Sequence, residues 1–366
     1  MFTIILLLLA VAYVLLFLVF TIGALASHYP ADSTLRPRVS IVVAARNEEA
    51  HIGACVESLL HLTYPRELLD IVIVDDRSTD RTGAIVARMA TGNPQLRLLR
   101  CTSEEGHLRG KTNAVTQGID TAAGEIILFT DADCLVPTGW VEETVKYYNN
   151  PKVGAVAGFT LLRGGDWFST MQALDWMVLF SAAAATLRMG FPTTAVGTNL
   201  SVSRRAYDTV GGYRTIPFSV TEDYALFHAV IGAGFAARIP MDLRTLVRSA
   251  PCETWKHLYN QKKRWFTGGR GMDATSMLVF AVPYLFNLLL LFTLLVAPSP
   301  AAWGALAGKI AVDLTFSLPA LVRFRQLRKL LVWPLYELYY TAYVLIYPPL
   351  VLMRTEVVWK ERSFRK

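Results

Sequence analysis

Gly124-Glu125-Ile126-Ile127-Leu128-Phe129-Thr130-Asp131-Ala132-Asp133-Cys134 reads as a buried strand that stops at two carboxylates. In extended chain, residues i and i+2 point the same way, so Asp131 and Asp133 address one spot. Two carboxylates converging at a strand end repel each other unless a cation sits with them. A hard divalent ion such as Mg²⁺ or Mn²⁺, itself bridged to phosphate oxygens, meets that demand. Taken alone, Asp-X-Asp after a strand is an ordinary solvated turn. The surrounding chain changes the balance.

Alternation of strand and helix runs on both sides of this stretch, from Arg38 to about Ser249. Val39–Ala45 is a buried-strand run, followed by a helix with Glu48 and Glu49 in its first turn. Asp70–Val74 is a second strand ending at Asp75 and Asp76, and Ser78-Thr79-Asp80 resembles a helix N-cap. Leu96–Leu99 is a short third strand, and Arg109 to Ala114 opens another helix. Such alternation predicts an α/β fold with a mostly parallel, Rossmann-like sheet, whose ligands collect at the carboxyl ends of the strands. Three of those ends carry polar groups: Arg46, Asn47 and Glu48; Asp75 and Asp76; Asp131 and Asp133. Further along, Trp167–Leu187 reads as a core helix, and Gly197–Arg205 as a strand running into a basic turn. Thr221-Glu222-Asp223 begins a helix that Thr221 is placed to cap.

The chain has 366 residues, 53% of them hydrophobic, which suits one domain plus a membrane region. Residues 1–27 form an uncharged anchor up to Ala26, long enough for a bilayer of about 30 Å. A cleaved signal peptide would begin with basic residues, and none are here. Arg36 and Arg38 follow the anchor, so the 36–250 domain is expected in the cytoplasm of an integral inner-membrane protein. Segment 251–272 carries Trp255, His257, Tyr259 and the run Lys262, Lys263 and Arg264, a composition suited to a helix lying on lipid. Segment 276–353 then provides two crossings, Ser276–Ala297 and Ala301–Val322. A third stretch, Trp333–Met353, is re-entrant or interfacial, or else crosses. Lys309 and Asp313 lie one turn apart in the second crossing and are expected to pair. Residues 354–366 form a basic tail on the cytoplasmic side.

The net charge of +7 does not indicate nucleic acid, because the basic residues cluster beside apolar segments and no recognition motif is present. Four cysteines without a CxxC pair indicate neither a zinc site nor a disulfide framework.

Taken together, the segments from Val39 to Trp265 resemble the membrane-bound family 2 glycosyltransferases, inverting enzymes of GT-A fold. The marks stand in family order: Val39–Glu48, Val74–Asp80, Gly110-Lys111-Thr112-Asn113-Ala114, Asp131-Ala132-Asp133, Thr221-Glu222-Asp223 and Gln261-Lys262-Lys263-Arg264-Trp265. Each is weak alone, and six in order are specific. The resemblance implies a nucleotide-sugar donor, a UDP-sugar first, and a lipid or lipid-linked acceptor. It places Arg46, Glu48, Asp75, Asp76, Lys111, Asp131, Gln261 and Arg264 on the donor, with the nucleotide base meeting Asp75 or Asp76. Asp133 and Asp131 would hold Mg²⁺ or Mn²⁺ on the diphosphate. The Thr-Glu-Asp motif supplies the catalytic base, which falls on Asp223 beside Glu222. Trp265 would stack on the acceptor, and Arg204 and Arg205 occupy an acceptor-side region. A processive polysaccharide synthase is a rival of the same chemistry. An inactive nucleotide-binding membrane scaffold is a rival of another class, disfavoured because all the acids are present.

Overall fold

A computed structural model of the chain describes residues 2–26, 34–268, 274–352, 357–359 and 362–364. The chain forms two units. One joins Met1–Ser27, Gly164–Thr193 and Pro251–Lys366, and the other joins His28–Arg163 and Thr194–Ala250.

The second unit is the α/β layer structure. Its strands are β1 (Val39–Ala45), β2 (Leu69–Asp75), β3 (Leu96–Arg100), β4 (Ile126–Phe129), β5 (Val153–Ala157), β6 (Thr160–Leu162), β7 (Leu200–Ser203), β8 (Ala236–Arg238) and β9 (Val247–Ser249). Seven of them form one sheet in the order β3-β2-β1-β4-β7-β5-β8. β1 pairs in parallel with both β2 and β4, and β2 with β3, whereas β7 runs antiparallel to β4 and β5. β6 and β9 form a separate parallel pair.

Both faces of the main sheet are covered, which is why its central strands are apolar at nearly every position. Val39, Ile41 and Val43 face a core shared with Ile52, Val56, Leu59 and Val86, on helices α2 (Ile52–Leu60) and α3 (Thr82–Ala90). Val42 and Val74 point the other way, toward α4 (Gly110–Thr121), where Gly118 lets the helix sit on the strands. A Cβ at Gly118 would lie 2.6 Å from Val42 Cγ1 and 2.8 Å from Val74 Cγ2.

Several element boundaries differ from expectation. α2 starts at Ile52 rather than at Glu48 and Glu49, because Asn47 takes a left-handed conformation (φ 52°) and turns the chain. α3 starts at Thr82, not after Ser78. Asp80 Oδ1 accepts from Thr82 N at 2.9 Å and so supports the start from two residues upstream. The short helix α5 (Trp140–Val145) precedes β5, Gly197–Asn199 is a short 3-10 turn before β7, and Arg204 opens α7 (Arg204–Thr209).

The first unit is helical: α1 (Phe2–Leu25), α6 (Trp167–Arg188), α9 (Trp255–Gly268), α10 (Ala274–Val296), α11 (Pro300–Arg323) and α12 (Trp333–Leu352). The helix expected inside the 36–250 domain, α6, thus belongs here with the terminal helices, and Gly23 of α1 passes close against its Ala185. Among the described residues, three helices are long and apolar enough to cross a membrane: Phe2–Leu25, Val279–Val296 and Pro300–Arg323. Within Pro300–Arg323, Lys309 and Asp313 form a buried ion pair. Lys309 Nζ lies 2.8 Å from Asp313 Oδ2 and also pairs with Glu337 of α12, while Tyr13 of α1 donates to Asp313 Oδ1 at 2.7 Å. The Lys309–Asp313 pair matches expectation; Glu337 and Tyr13 extend it. The end of the 251–272 segment and much of the 354–366 tail lie outside the described residues, although Val357–Trp359 and Arg362–Phe364 pair as antiparallel strands.

Gly118→Ala is expected to lower the melting temperature. Overpacking costs about 1–3 kcal/mol, which outweighs the roughly 1 kcal/mol gained in helix propensity. Thermal unfolding followed by circular dichroism measures the difference.

Candidate active site

The carboxyl ends of β1, β2 and β4 and the N-terminal turns of α4 and α8 (Glu222–Gly232) bring most of the expected residues to one edge of the sheet. Lys111, in the first turn of α4, is the hub. Its Nζ lies 2.7 Å from Asp131 Oδ1 and 2.9 Å from Glu222 Oε1. Burial alone would lower the Lys111 pKa, but the Asp131, Glu222 and Asp223 carboxylates more than reverse that, and the net direction is upward.

Asp223 is held by the main chain. Its Oδ2 accepts from Gly197 N at 2.5 Å and its Oδ1 from Tyr224 N at 2.8 Å. Burial, then the neighbouring Glu222 charge, raise its pKa to about 6, against the opposing pull of Lys111 and the two N–H donors. The expected Thr221 cap is not formed: its hydroxyl meets Ser219 Oγ at 3.1 Å, and the helix start carries no side-chain cap.

Asp133 Oδ2 accepts from Ser249 Oγ at 3.1 Å, and Arg163 Nη2 donates to the Asp133 carbonyl at 3.0 Å. Sequence reading missed Ser249 and Arg163. They lie 116 and 30 residues away at the ends of the β6–β9 pair, and no local pattern announces them. Gly197 was read as part of a strand, and its role as a donor to Asp223 was not legible. Among the described residues, no group of three or more His, Cys, Asp or Glu is placed to hold a metal. Mg²⁺ and Mn²⁺ commonly take only one or two carboxylates and complete their shell with phosphate oxygens and water, so the oxygen donors of Asp131 and Asp133 fit such an ion. Cys55 and Cys134, beside this pair, are buried, and burial and the nearby carboxylates push their thiols up, away from reactive thiolate.

On the β1–β2 side, the two loops lock together. Arg46 Nη1 donates to the Asp76 carbonyl at 2.9 Å, Thr79 N donates to Asn47 Oδ1 at 2.9 Å, and Glu48 N donates to Thr82 Oγ1 at 2.8 Å. Asp75 Oδ1 accepts from Ser78 N at 2.9 Å, while Asp76 Oδ1 accepts from Arg77 Nε at 3.1 Å. Arg77 itself is left-handed (φ 57°), a strained conformation for a long side chain.

Arg204 and Arg205 are not at this edge. β7 is antiparallel to β4, so its final residue, Ser203, pairs with Ile126, at the opposite end of β4 from Asp131. There Arg204 Nη2 donates to the Ala122 carbonyl at 2.7 Å, and Arg205 lies over the Phe235 ring. This corrects their acceptor-side assignment: they fasten the far end of the sheet.

Gln261, Arg264 and Trp265 lie on α9 of the helical unit. Gln261 Oε1 is buried with no hydrogen-bond partner among the described residues. Lys262, expected to face lipid, is instead 1% exposed and paired with Asp175.

A family model described as Glycosyl transferase family 2 matches residues 40–211, and one described as Glycosyl transferase family group 2 matches residues 126–354. The chain is 29% identical over 250 residues to a Beta-monoglucosyldiacylglycerol synthase from Synechocystis sp., covering 65% of this chain and 49% of that relative. It is 27% identical over 240 residues to a Poly-beta-1,6-N-acetyl-D-glucosamine synthase from Staphylococcus epidermidis, covering 63% and 54%. The chain therefore spans about half the length of these curated relatives. Among solved structures it resembles the mannosyltransferase PcManGT from Pyrobaculum calidifontis, solved with GDP-Man and Mn²⁺, at a TM-score of 0.63 and 23% identity, over 93% of this chain and 99% of that one. That likeness identifies the fold as GT-A.

The raised Asp223 pKa has a sign that can be checked. Above about pH 4 the unfolded carboxyl is ionised, while the folded one keeps its proton until about pH 6. This group's contribution to stability therefore falls as pH rises through that window. Asp223→Asn is expected to gain melting temperature relative to the unmodified chain between pH 4 and 7, as parallel thermal melts would record.

Proposed function

This chain belongs to the family 2 glycosyltransferases, and from that premise we propose that it transfers a sugar, with inversion, from a nucleotide-sugar donor to a lipid or lipid-linked acceptor. The transfer takes place at the cytoplasmic face of the membrane, and a UDP-sugar is the first candidate donor. The observation that carries this reading is the convergence of Lys111, Asp131, Glu222 and Asp223 at the carboxyl edge of the sheet.

In this reading the acceptor hydroxyl attacks the anomeric carbon as the bond to the diphosphate oxygen breaks. The hydroxyl proton passes to Asp223, whose pKa of about 6 suits a base working near neutrality. Each Asp223 oxygen already accepts one N–H and retains a second lone pair, so the carboxylate can bind the hydroxyl without releasing its anchors. Glu222 holds Lys111 in place, and Lys111 faces the negative charge that develops on the leaving diphosphate. Arg264 offers that diphosphate a bidentate partner, Gln261 adds an acceptor on the donor side, and Trp265 stacks on the incoming acceptor. Asp75 or Asp76 meets the base, within the wall built by Arg46 and Glu48. A divalent cation at Asp133 and Asp131 would supply charge neutralisation on the diphosphate, in keeping with the Mn²⁺ of the Pyrobaculum protein.

Similarity to a poly-N-acetylglucosamine synthase favours one alternative, processive polymerisation. Product length separates the two. Membranes holding the chain are to be incubated with UDP-glucose, UDP-N-acetylglucosamine or GDP-mannose, plus Mn²⁺ or Mg²⁺. Lipid extracts are expected to gain the mass of one sugar rather than a ladder, with loss of product in excess EDTA. Asp223→Asn is expected to reduce transfer by roughly 10²–10⁴-fold while nucleotide binding persists. Unchanged turnover would remove Asp223 as the base, and no donor consumption by the unmodified chain would leave the inactive-scaffold reading.

A further inference from the structure

Helix α9 presents Gln261, Arg264 and Trp265, and one face of α6 meets α9 and the residues just before it at three points. At the start of the segment, Gln172 Nε2 donates to the Cys252 carbonyl at 3.0 Å and Gln172 Oε1 accepts from Cys252 N at 2.9 Å. One turn along α6, Asp175 pairs with Lys262, the second residue of the Gln261–Trp265 motif. The next residue, Trp176, meets Trp265 with ring centroids 5.5 Å apart. Gln172, Asp175 and Trp176 follow the i, i+3, i+4 spacing of a single helix face, and all three are buried.

Lys262 is enclosed as well. Its Nζ lies 4.4 Å from the Trp265 ring centroid and 4.9 Å from that of Tyr343 on α12. A buried ion pair contributes little net stability compared with apolar residues of similar volume, and its best-attested use is to fix register. A one-residue turn of α9 would carry Lys262 away from Asp175 and rotate Arg264 and Trp265 by about 100°.

We propose that Gln172, Asp175 and Lys262 are positioning residues for sugar transfer: they set the rotation and register of α9 and thereby aim Arg264 and Trp265. This inference rests on the function proposed above. It assigns α6, which sequence reading took as core, and Lys262, which it took as lipid-facing, to the aim of the site.

The test uses the full chain in lipid nanodiscs, labelled with 5-fluorotryptophan, the Trp265 resonance being identified by its loss in Trp265→Phe. In the double variant Asp175→Leu with Lys262→Met, no buried charge is stranded, so the melting temperature is expected to stay within a few degrees. The Trp265 resonance is expected to shift and broaden. With UDP-glucose, or whichever donor of the panel turns over, kcat is expected to fall at least tenfold and the donor KM to rise, because Arg264 and Gln261 turn away from the diphosphate. An unchanged resonance with unchanged kcat overturns the proposal. Should that pair fail to fold, Gln172→Leu releases the other hold and carries the same expectation and the same refutation. If the unmodified chain turns over no donor, the proposed function falls, and the Trp265 resonance in Gln172→Leu, which leaves Lys262 over that ring, still decides whether α6 aims α9.

Discussion

A single ammonium group holds the candidate site together. Lys111 stands against Asp131 and Glu222, which arrive from β4 and α8, with Asp223 next to Glu222 in the same helical turn. Without a cation, these carboxylates would repel one another across a partly dry edge of the sheet. With it, three elements that together span more than a hundred residues of chain are drawn to one point. The same charge faces the place where a leaving diphosphate would develop its own, so the contact that stabilises the resting site also suits the reaction proposed for it.

The sheet makes this possible by being stiff. Apolar positions on both faces of β1 and β2 leave the strands no alternative register, since a slip of one residue would exchange the two cores. The strand ends are therefore fixed, and the loops beyond them inherit that precision. Left-handed Asn47 and Arg77, with the hydrogen bonds between the β1 and β2 loops, store strain where the chain turns back, as functional loops often do.

The parallel core was readable because buried strands capped by acids are a strong local signal, and Asp75 and Asp76 stand at the end of β2 as read. β4, however, stops at Phe129, and Asp131–Cys134 is a turn, with Cys134 N donating to the Asp131 carbonyl at 3.0 Å. Asp131 therefore meets Lys111 while Asp133 meets Ser249. Lys111 and Asp223 were reachable only through family motifs, since nothing in their own neighbourhoods requires the meeting. What stayed hidden depends on contacts distant in sequence. Lys262 reads as one of three adjacent cations, and only the position of Asp175, 87 residues earlier, removes it from the surface. Arg204 and Arg205 follow a polar strand, but the antiparallel direction of β7 sends them to the wrong end of β4. α6 looks like any apolar helix until its partners are known.

The anchor of Asp223 at Gly197 is a peptide N–H, and every amino acid except proline supplies one. A side chain at that position is another matter: a Cβ would lie 3.2 Å from Asp223 Oδ2 and 3.4 Å from Lys111 Nζ, so the donor comes close only where nothing projects beside it. Asp223 is thus aligned both by the course of the main chain and by the bare backbone of one glycine.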